Sequence, residues 1–285
     1  MAPFTPPITR QDILVHQETV PWPSLLQVEQ DLLLSLSMVA LFEDRFLSDH
    51  IAMRGGTALH KVHLAPPARY SEDIDLVVVT DRDENHIRAA VKRVLLPILG
   101  RHKGFGWESV RLAIRNAARP SRILKVDFET ASVAEPGRTI KIKLEANVTE
   151  RQSYLPTTRH SFTVSLPSEV RTVELASYDI NEMLGTKMRA LFQRSQGRDL
   201  FDLYWALTTP DAGINPAIAI DAFNHYMAAE KQAVQRAGFE EALTIRLADP
   251  HFRADMAPLL RHGLAYDVDE AGARVRRDLL RRLPA

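Results

Sequence analysis

Between residues 24 and 48, apolar positions recur every third or fourth residue, with Leu25, Val28, Leu32, Leu33 and Leu36 on one side. That period predicts a long amphipathic helix, which leads into a short strand at about 50–53. Gly55-Gly56 interrupts the pattern, a short helix is expected from Thr57 to about Leu64, and Pro66-Pro67 force a turn. The apolar run from Asp73 to Val79 reads as a strand, and residues 84–99 as a helix that packs back. Period two then takes over in RILKVDFET (122–130) and TIKIKLEANV (139–148), joined by a hairpin-like turn at Glu135-Pro136-Gly137. A further strand pair is expected at about 161–166 and 170–175, and from Asp179 the pattern is helical to the end. The fold class is therefore α+β: a mixed sheet with flanking helices over residues 21–172, followed by an all-helical part over 173–285.

Composition narrows the chemistry. The chain has 285 residues, 45% hydrophobic and 25% charged, enough apolar material for one large or two smaller domains. Its 36 basic and 36 acidic residues balance, so affinity for nucleic acid has to come from local patches. With no cysteine, thiolate zinc sites and a cysteine nucleophile are excluded, and His and carboxylates remain as metal ligands. A cytoplasmic location is expected. The start, MAPFTPPITRQD, has proline at three positions and no apolar core, which reads as a loose arm over residues 1–20 and not as a signal peptide or anchor. The apolar run Leu32–Phe42, about 11 residues, is too short to span a bilayer.

The candidate site starts at the mouth of the 73–79 strand. Side chains two apart on a strand share a face, about 6–7 Å apart at the backbone, so Asp73 and Asp75 can converge on one cation. In TIKIKLEANV, Ile140, Ile142, Leu144, Ala146 and Val148 form one face and leave Glu145 on the other as a third acidic group. Asp127 on the preceding strand competes for that place. Three oxygen ligands on neighbouring strands suit Mg²⁺, or Mn²⁺ in its stead. The Gly55-Gly56 turn lets backbone amides approach a phosphate, and the helix that it opens favours anions. Thr57 caps that helix or donates to the same phosphate, with Arg54 beside it.

These residues resemble a known pattern: a glycine pair, a spacer and then Asp-x-Asp mark the nucleotidyltransferase superfamily that includes DNA polymerase beta. Within it, RGGTALHKVH, RYSEDIDLVV and KMRALFQRSQGRDLFDLYWAL look like the AbiEii/AbiGii toxin family, with its MenT-like members. The resemblance covers roughly residues 45–208. Thr57 stands where many members have Ser, and the spacer of 15 residues between Thr57 and Asp73 is long. What it implies is a nucleotidyltransferase-fold sheet and transfer of a nucleoside monophosphate from an NTP to an acceptor, with pyrophosphate released. It also implies a toxin with a cognate antitoxin. For some relatives the acceptor is the tRNA 3′ end, and aminoacylation and translation stop.

The helix after Asp179 bears on the same chemistry. Asp179 and Glu182 form a capping box on paper, and Ile180, Met183, Leu184, Met188 and Leu191 define its apolar stripe. Lys187 falls in the middle of that stripe with Arg194 on the same side. Either Lys187 snorkels to solvent or the stripe faces a cleft, where Lys187 neutralises NTP phosphates and Arg194 assists. Asp199 and Asp202, three apart, orient these cations, act as base toward the acceptor, or form an exposed salt bridge. Tyr70 and Ser71 flank the acidic motif and can touch the nucleotide or pack; phosphate on Ser71 would compete with the NTP for metal. His60 and His63 have metal-pair spacing but no further ligands nearby, so they read as surface or partly buried histidines. The tail ARVRRDLLRRLPA reads as a solvated helix face or an RNA-backbone contact. Besides RNA transfer, two alternatives stay open: a protein or small-molecule acceptor, and a nucleotide-binding regulator without transfer.

Overall fold

The computed structural model describes residues 7–100, 108–112 and 121–285. Elements follow in the order α1 (Arg10–Thr19), α2 (Leu25–Glu43), α3 (Arg45–His50), β1 (Ile51–Arg54) and α4 (Gly55–Ala58), which continues as a π-helical turn over Leu59–His63. Next come β2 (Asp73–Val78), α5 (Glu84–Leu99), β3 (Glu108–Leu112), β4 (Ser121–Ala131), β5 (Thr139–Asn147), β6 (Thr158–Ser165) and β7 (Val170–Ser177). The helical part comprises α6 (Ile180–Gln193), α7 (Gly197–Thr208), α8 (Pro216–Ala229), α9 (Arg236–Ala248), α10 (Pro250–Ala254) and α11 (Val268–Asp278).

The strands form one mixed sheet in the order β3-β4-β5-β2-β1-β7-β6. β2 runs parallel to β5 and β1 parallel to β7, while the other neighbours are antiparallel. The α+β class is as expected, and so is the alternation in β5, where Ile140, Ile142, Leu144 and Ala146 are buried. β3 is an addition to the expected strands, although Val110, Leu112 and Ile114 alternate in the sequence. The boundary falls later than 172, because β7 runs to Ser177 in register with Met53 of β1 and helix begins only at Ile180.

Local chemistry explains the remaining differences. The long helix expected over 24–48 is broken at Asp44, whose carboxylate accepts from the Leu47 amide at 3.0 Å and starts α3. The arm expected over 1–20 contains a docked helix. Thr9 and Asp12 form a capping box, Ile13 is buried, and His16 hydrogen-bonds Asp31 at 2.7 Å; residues 1–6 lie outside the described residues. At α6, Asp179 caps the Asn181 amide at 2.8 Å, but Glu182 is not its box partner. The Glu182 carboxylate accepts instead from the amides of Tyr154 and Leu155 at 2.8 and 2.9 Å and from the Tyr226 hydroxyl.

α2 has the length and hydropathy to cross a membrane, yet 72% of that window is buried inside the protein, where it forms the central core helix. Glu29 on this helix is fully buried because it accepts from the Ser132 hydroxyl at 2.6 Å and the Val133 and Ala134 amides at 2.6 and 2.9 Å. The sheet half and the helical half share one continuous apolar core. They are also joined by main chain: Tyr70 donates to the Leu259 carbonyl at 2.7 Å and Arg261 to that of Ala68 at 3.0 Å. That joint lies just before the acidic strand.

α6 crosses α8 at Gly185, where a Cβ would fall 2.7 Å from the Ala222 Cβ and 2.8 Å from both the Ala219 carbonyl and the Phe223 nitrogen. All three are parts of a packed helix and none can swing away. Gly185→Val is expected to lower unfolding stability in a urea titration by about 1–3 kcal/mol, the usual cost of overpacking.

Candidate active site

β1 and β2 pair antiparallel with Arg54 opposite Asp75, so the end of one strand and the mouth of the other meet by register. Gly55 has φ +79°, and a Cβ there would fall 2.1 Å from Asp75 Oδ2. A Cβ on Gly56 would fall 2.2 Å from Arg69 Nη2. The glycine turn is therefore packed against a carboxylate on one side and a guanidinium on the other, and only glycine leaves room for both.

Across the sheet, Asp75 is in register with Glu145 and Glu145 with Lys125, while Asp73 is opposite Lys143 and Lys143 opposite Asp127. Residues in register point to the same face. Glu145 is thus one strand away from Asp75, whereas Asp127 is two strands away from Asp73, about 10 Å at the usual strand spacing, with Lys143 between them. Register favours Glu145 over Asp127 as the third acidic group. The Glu145 carboxylate is ion-paired with Lys125.

The two aspartates of β2 are in electrostatic tension. Burial first, then the neighbouring Asp75, pushes Asp73 up to about 6, only partly offset by Lys143. Its Oδ1 is buried without a hydrogen-bond partner. Asp75 is also raised, by burial first, against the pull of Arg54. Among the described residues no three His, Asp or Glu side chains lie close enough together to hold a metal ion as they stand. The donor set nevertheless fits a hard divalent cation: acceptor-only oxygens, one of them orphaned, with a third carboxylate held aside by a single lysine.

The opposite wall is cationic, and two carboxylates fix it. Asp199 and Asp202 lie on α7 and are fully buried. Asp199 accepts from Arg194 Nε and Nη2 at 2.7 and 2.9 Å and from Lys187 Nζ at 3.2 Å. Asp202 accepts from Lys187 Nζ at 2.7 Å, from Arg69 through Nε and through Nη2 at 2.9 Å, and from His60 Nε2 at 2.8 Å. Burial alone would raise both carboxyls, but Lys187 and Arg194 hold Asp199 below its ordinary value, and Arg69 and Lys187 hold Asp202 well below. Of the readings open for Asp199 and Asp202, orienting the cations is the one this geometry supports. A base toward the acceptor is disfavoured, since carboxylates so placed are weak bases with no free oxygen.

Lys187 does not snorkel away: only 10% of its side chain is exposed, and it faces a cleft. One lobe, about 390 Å³, lies between Glu72, Asp73, Asp75 and Glu145 on one side and Lys187, Arg194 and Arg198 on the other. A second, about 270 Å³, is lined by Arg54, Gly55, Gly56, Lys187, Arg189 and Arg194, with Asp75 its one acid. Gly56, Asp75, Lys187 and Arg194 line both lobes. A larger cleft of about 500 Å³ lies behind the π-helical turn beside Lys61 and β6, away from the paired acids. The chemistry selects the smaller pair.

Two site residues have other work than expected. Thr57 is fully buried, and its hydroxyl hydrogen-bonds Ser71 Oγ at 2.8 Å and the Asp73 carbonyl. It does not cap α4; it fixes the main chain of the acidic strand. Ser71 does line the cleft. Arg54 is held by Glu150 at 3.2 Å, which Arg189 also approaches at 3.5 Å. Glu150, Arg189 and Arg69 carry no local sequence signal for these roles, and the His60–His63 spacing does not point to Asp202, because the partners are far away in the chain, 142 residues in the case of His60 and Asp202. The tail arginines lie outside the cleft lobes, with Arg274 and Arg277 on Asp278 and Arg276 on Thr244.

The fold and the family together make the chain a nucleotidyltransferase. The chain belongs to the AbiEii family, described as nucleotidyl transferase toxins of a type IV toxin–antitoxin system, whose model matches residues 37–274. Among solved structures, MenT4, a nucleotidyltransferase toxin from Mycobacterium tuberculosis H37Rv, shares the fold with a TM-score of 0.67 at 16% identity, over 98% of this chain and 91% of that one. No curated protein matches the chain by sequence.

Folded Asp73 keeps its proton up to about pH 6, against 3.8 for an ordinary aspartate, so between these values the folded state binds more protons than the unfolded. Stability contributed by the neutral form is then lost as pH rises through that window. In the absence of divalent cations, Asp73→Asn is expected to raise the thermal midpoint at neutral pH, and the gain should vanish by roughly pH 4. Thermal scans across pH check it.

Proposed function

We propose that this toxin transfers a nucleoside monophosphate from an NTP to an RNA acceptor, the tRNA 3′ end in the leading form, and thereby blocks translation in the cytoplasm. One observation carries this reading: Asp75, the Gly55-Gly56 turn, Lys187 and Arg194 share one cleft, with the acids on one wall and the cations on the other. A triphosphate needs the second and its cations need the first.

In this reading the four-cation lobe takes the triphosphate, with Lys187 and Arg194 on the β and γ groups and Arg54 beside the glycine turn. The acceptor oxygen attacks the α-phosphorus, the α–β anhydride bond breaks, and pyrophosphate leaves with its charge held by Lys187 and Arg194. Asp73 and Asp75, with Glu145 released from Lys125, would hold Mg²⁺ or Mn²⁺. When bound, the cation neutralises triphosphate charge and relieves the repulsion between the two aspartates. Glu145 acts as third ligand or as base for the acceptor proton. Asp199 and Asp202 keep Lys187 and Arg194 aimed. Ser71 lies where it can touch the nucleotide, and Thr57 holds the strand that carries the acids.

Transfer to a protein or small molecule is the alternative outcome of the same experiment. Purified protein incubated with each labelled NTP, Mg²⁺ and total tRNA is expected to put label on RNA; label on protein or a small molecule would move the acceptor, and no labelled product would end the reading. Asp75→Ala is expected to abolish transfer, with a drop of at least about a thousandfold, while far-ultraviolet dichroism stays unchanged. A cognate antitoxin expressed alongside is expected to relieve the growth arrest.

A further inference from the structure

We propose that His60 is a positioning residue that acts through Asp202 to aim Lys187 at the phosphates. The proposal deepens the reading of the cleft as a triphosphate site and rests on it.

His60 lies in the π-helical turn that continues the glycine-opened helix, where the extra residue turns both His60 and Lys61 inward. It is fully buried and stacks on Phe201 with ring centroids 5.9 Å apart. Its Nε2 is 2.8 Å from Asp202 Oδ1, and its Nδ1 is buried without a partner. Asp202 is ionised and can only accept, so Nε2 carries the proton and Nδ1 the bare lone pair. Burial holds the imidazole pKa below its ordinary value despite Asp202, and Arg69 and Lys187 push the same way. His60 is thus a neutral donor to a carboxylate that already has two cations.

That choice of group has a consequence. A third cation would compete with Lys187 for Asp202, whereas a neutral donor fixes the carboxylate and leaves the charges as they were. Arg69 bridges both oxygens of Asp202, and His60 adds a second hold on Oδ1 from the side of the glycine-opened helix, so that Oδ2 is offered to Lys187 at 2.7 Å. The path from the phosphate cradle to the lysine that faces it therefore runs through one histidine and one aspartate. Hydrogen-bond partners one step behind metal ligands typically change affinity or activity by about 10–100-fold when removed, and the lower end of that range sets the scale for a partner one step behind Lys187.

The test is calorimetric binding of inorganic tripolyphosphate without divalent cations, on variants with a cooperative unfolding transition. His60→Leu, which keeps volume but no donor, is expected to weaken binding about tenfold. His60→Gln, whose amide nitrogen stands where Nε2 does, should restore most of it. If the leucine variant fails to fold, His60→Asn, whose amide is too short to reach Asp202, takes its place. Lys187→Met should weaken binding, and adding His60→Leu to it should weaken it little further, since one residue acts through the other. Wild-type binding by the leucine variant, equal loss in the leucine and glutamine variants, additive losses in the double variant, or no binding by the wild type would each overturn the inference. A wild type that binds tripolyphosphate but labels no acceptor would overturn the proposed transfer alone.

Discussion

Two buried carboxylates, Asp199 and Asp202, hold the cationic wall of the cleft together, and the rest of the site is arranged around what they hold. They carry two negative charges and are met by Lys187, Arg194 and Arg69, so the cluster keeps one positive charge in excess. Lys187 and Arg194 turn that excess toward Asp73 and Asp75 across the cleft. Removing one partner from such a buried pair typically costs about 3–5 kcal/mol, because the other charge is left stranded. The wall is accordingly costly to disturb, and in the proposed reading a triphosphate would meet cations already placed.

The four aspartates of the cleft show how environment assigns different work to one residue type. Burial raises all of them. In Asp199 and Asp202 the neighbouring cations more than cancel it; in Asp73 and Asp75 they do not. The first pair is internally neutralised and structural. The second pair is left short of positive charge, which is tolerable in a folded protein only at the expense of stability and is characteristic of a place where a charged ligand is due. In the proposed reading a divalent cation with a polyphosphate would supply both missing elements together: positive charge for the acids and negative charge for Lys187, Arg194 and Arg54.

Local pattern explains why much of this was legible in the chain. The alternation of TIKIKLEANV placed Glu145 on the polar face, the 3.6-residue period placed Lys187 in mid-stripe, and Asp-x-Asp put two carboxylates on one face of a strand. Each of these needs only a few neighbouring residues. What sequence could not supply were groups whose role depends on a distant partner. His60 reads as a surface or partly buried histidine because Asp202 is 142 residues away, and Arg69 has no assigned role in the sequence because its carboxylate lies 133 residues on. The cap expected of Thr57 fails for the opposite reason: its hydroxyl is used locally, on Ser71 and the Asp73 carbonyl. Glu182 fitted a local capping rule and was taken by a more distant need, the amides of Tyr154 and Leu155.

The glycine pair and the acidic pair are best understood as one unit. A glycine turn next to phosphate is ordinarily explained by close approach of backbone to ligand. Here the missing side chains are filled first by the protein: the Asp75 carboxylate occupies the space beside Gly55 and the Arg69 guanidinium the space beside Gly56. What brings these groups together is the pairing of Arg54 with Asp75 across β1 and β2, and not their separation along the chain. The connection between them can therefore be long without loosening the site, since strand register sets the distance once the sheet forms. Any side chain at Gly55 would displace Asp75 and so disturb the acidic wall, which makes the turn a part of the acid cluster.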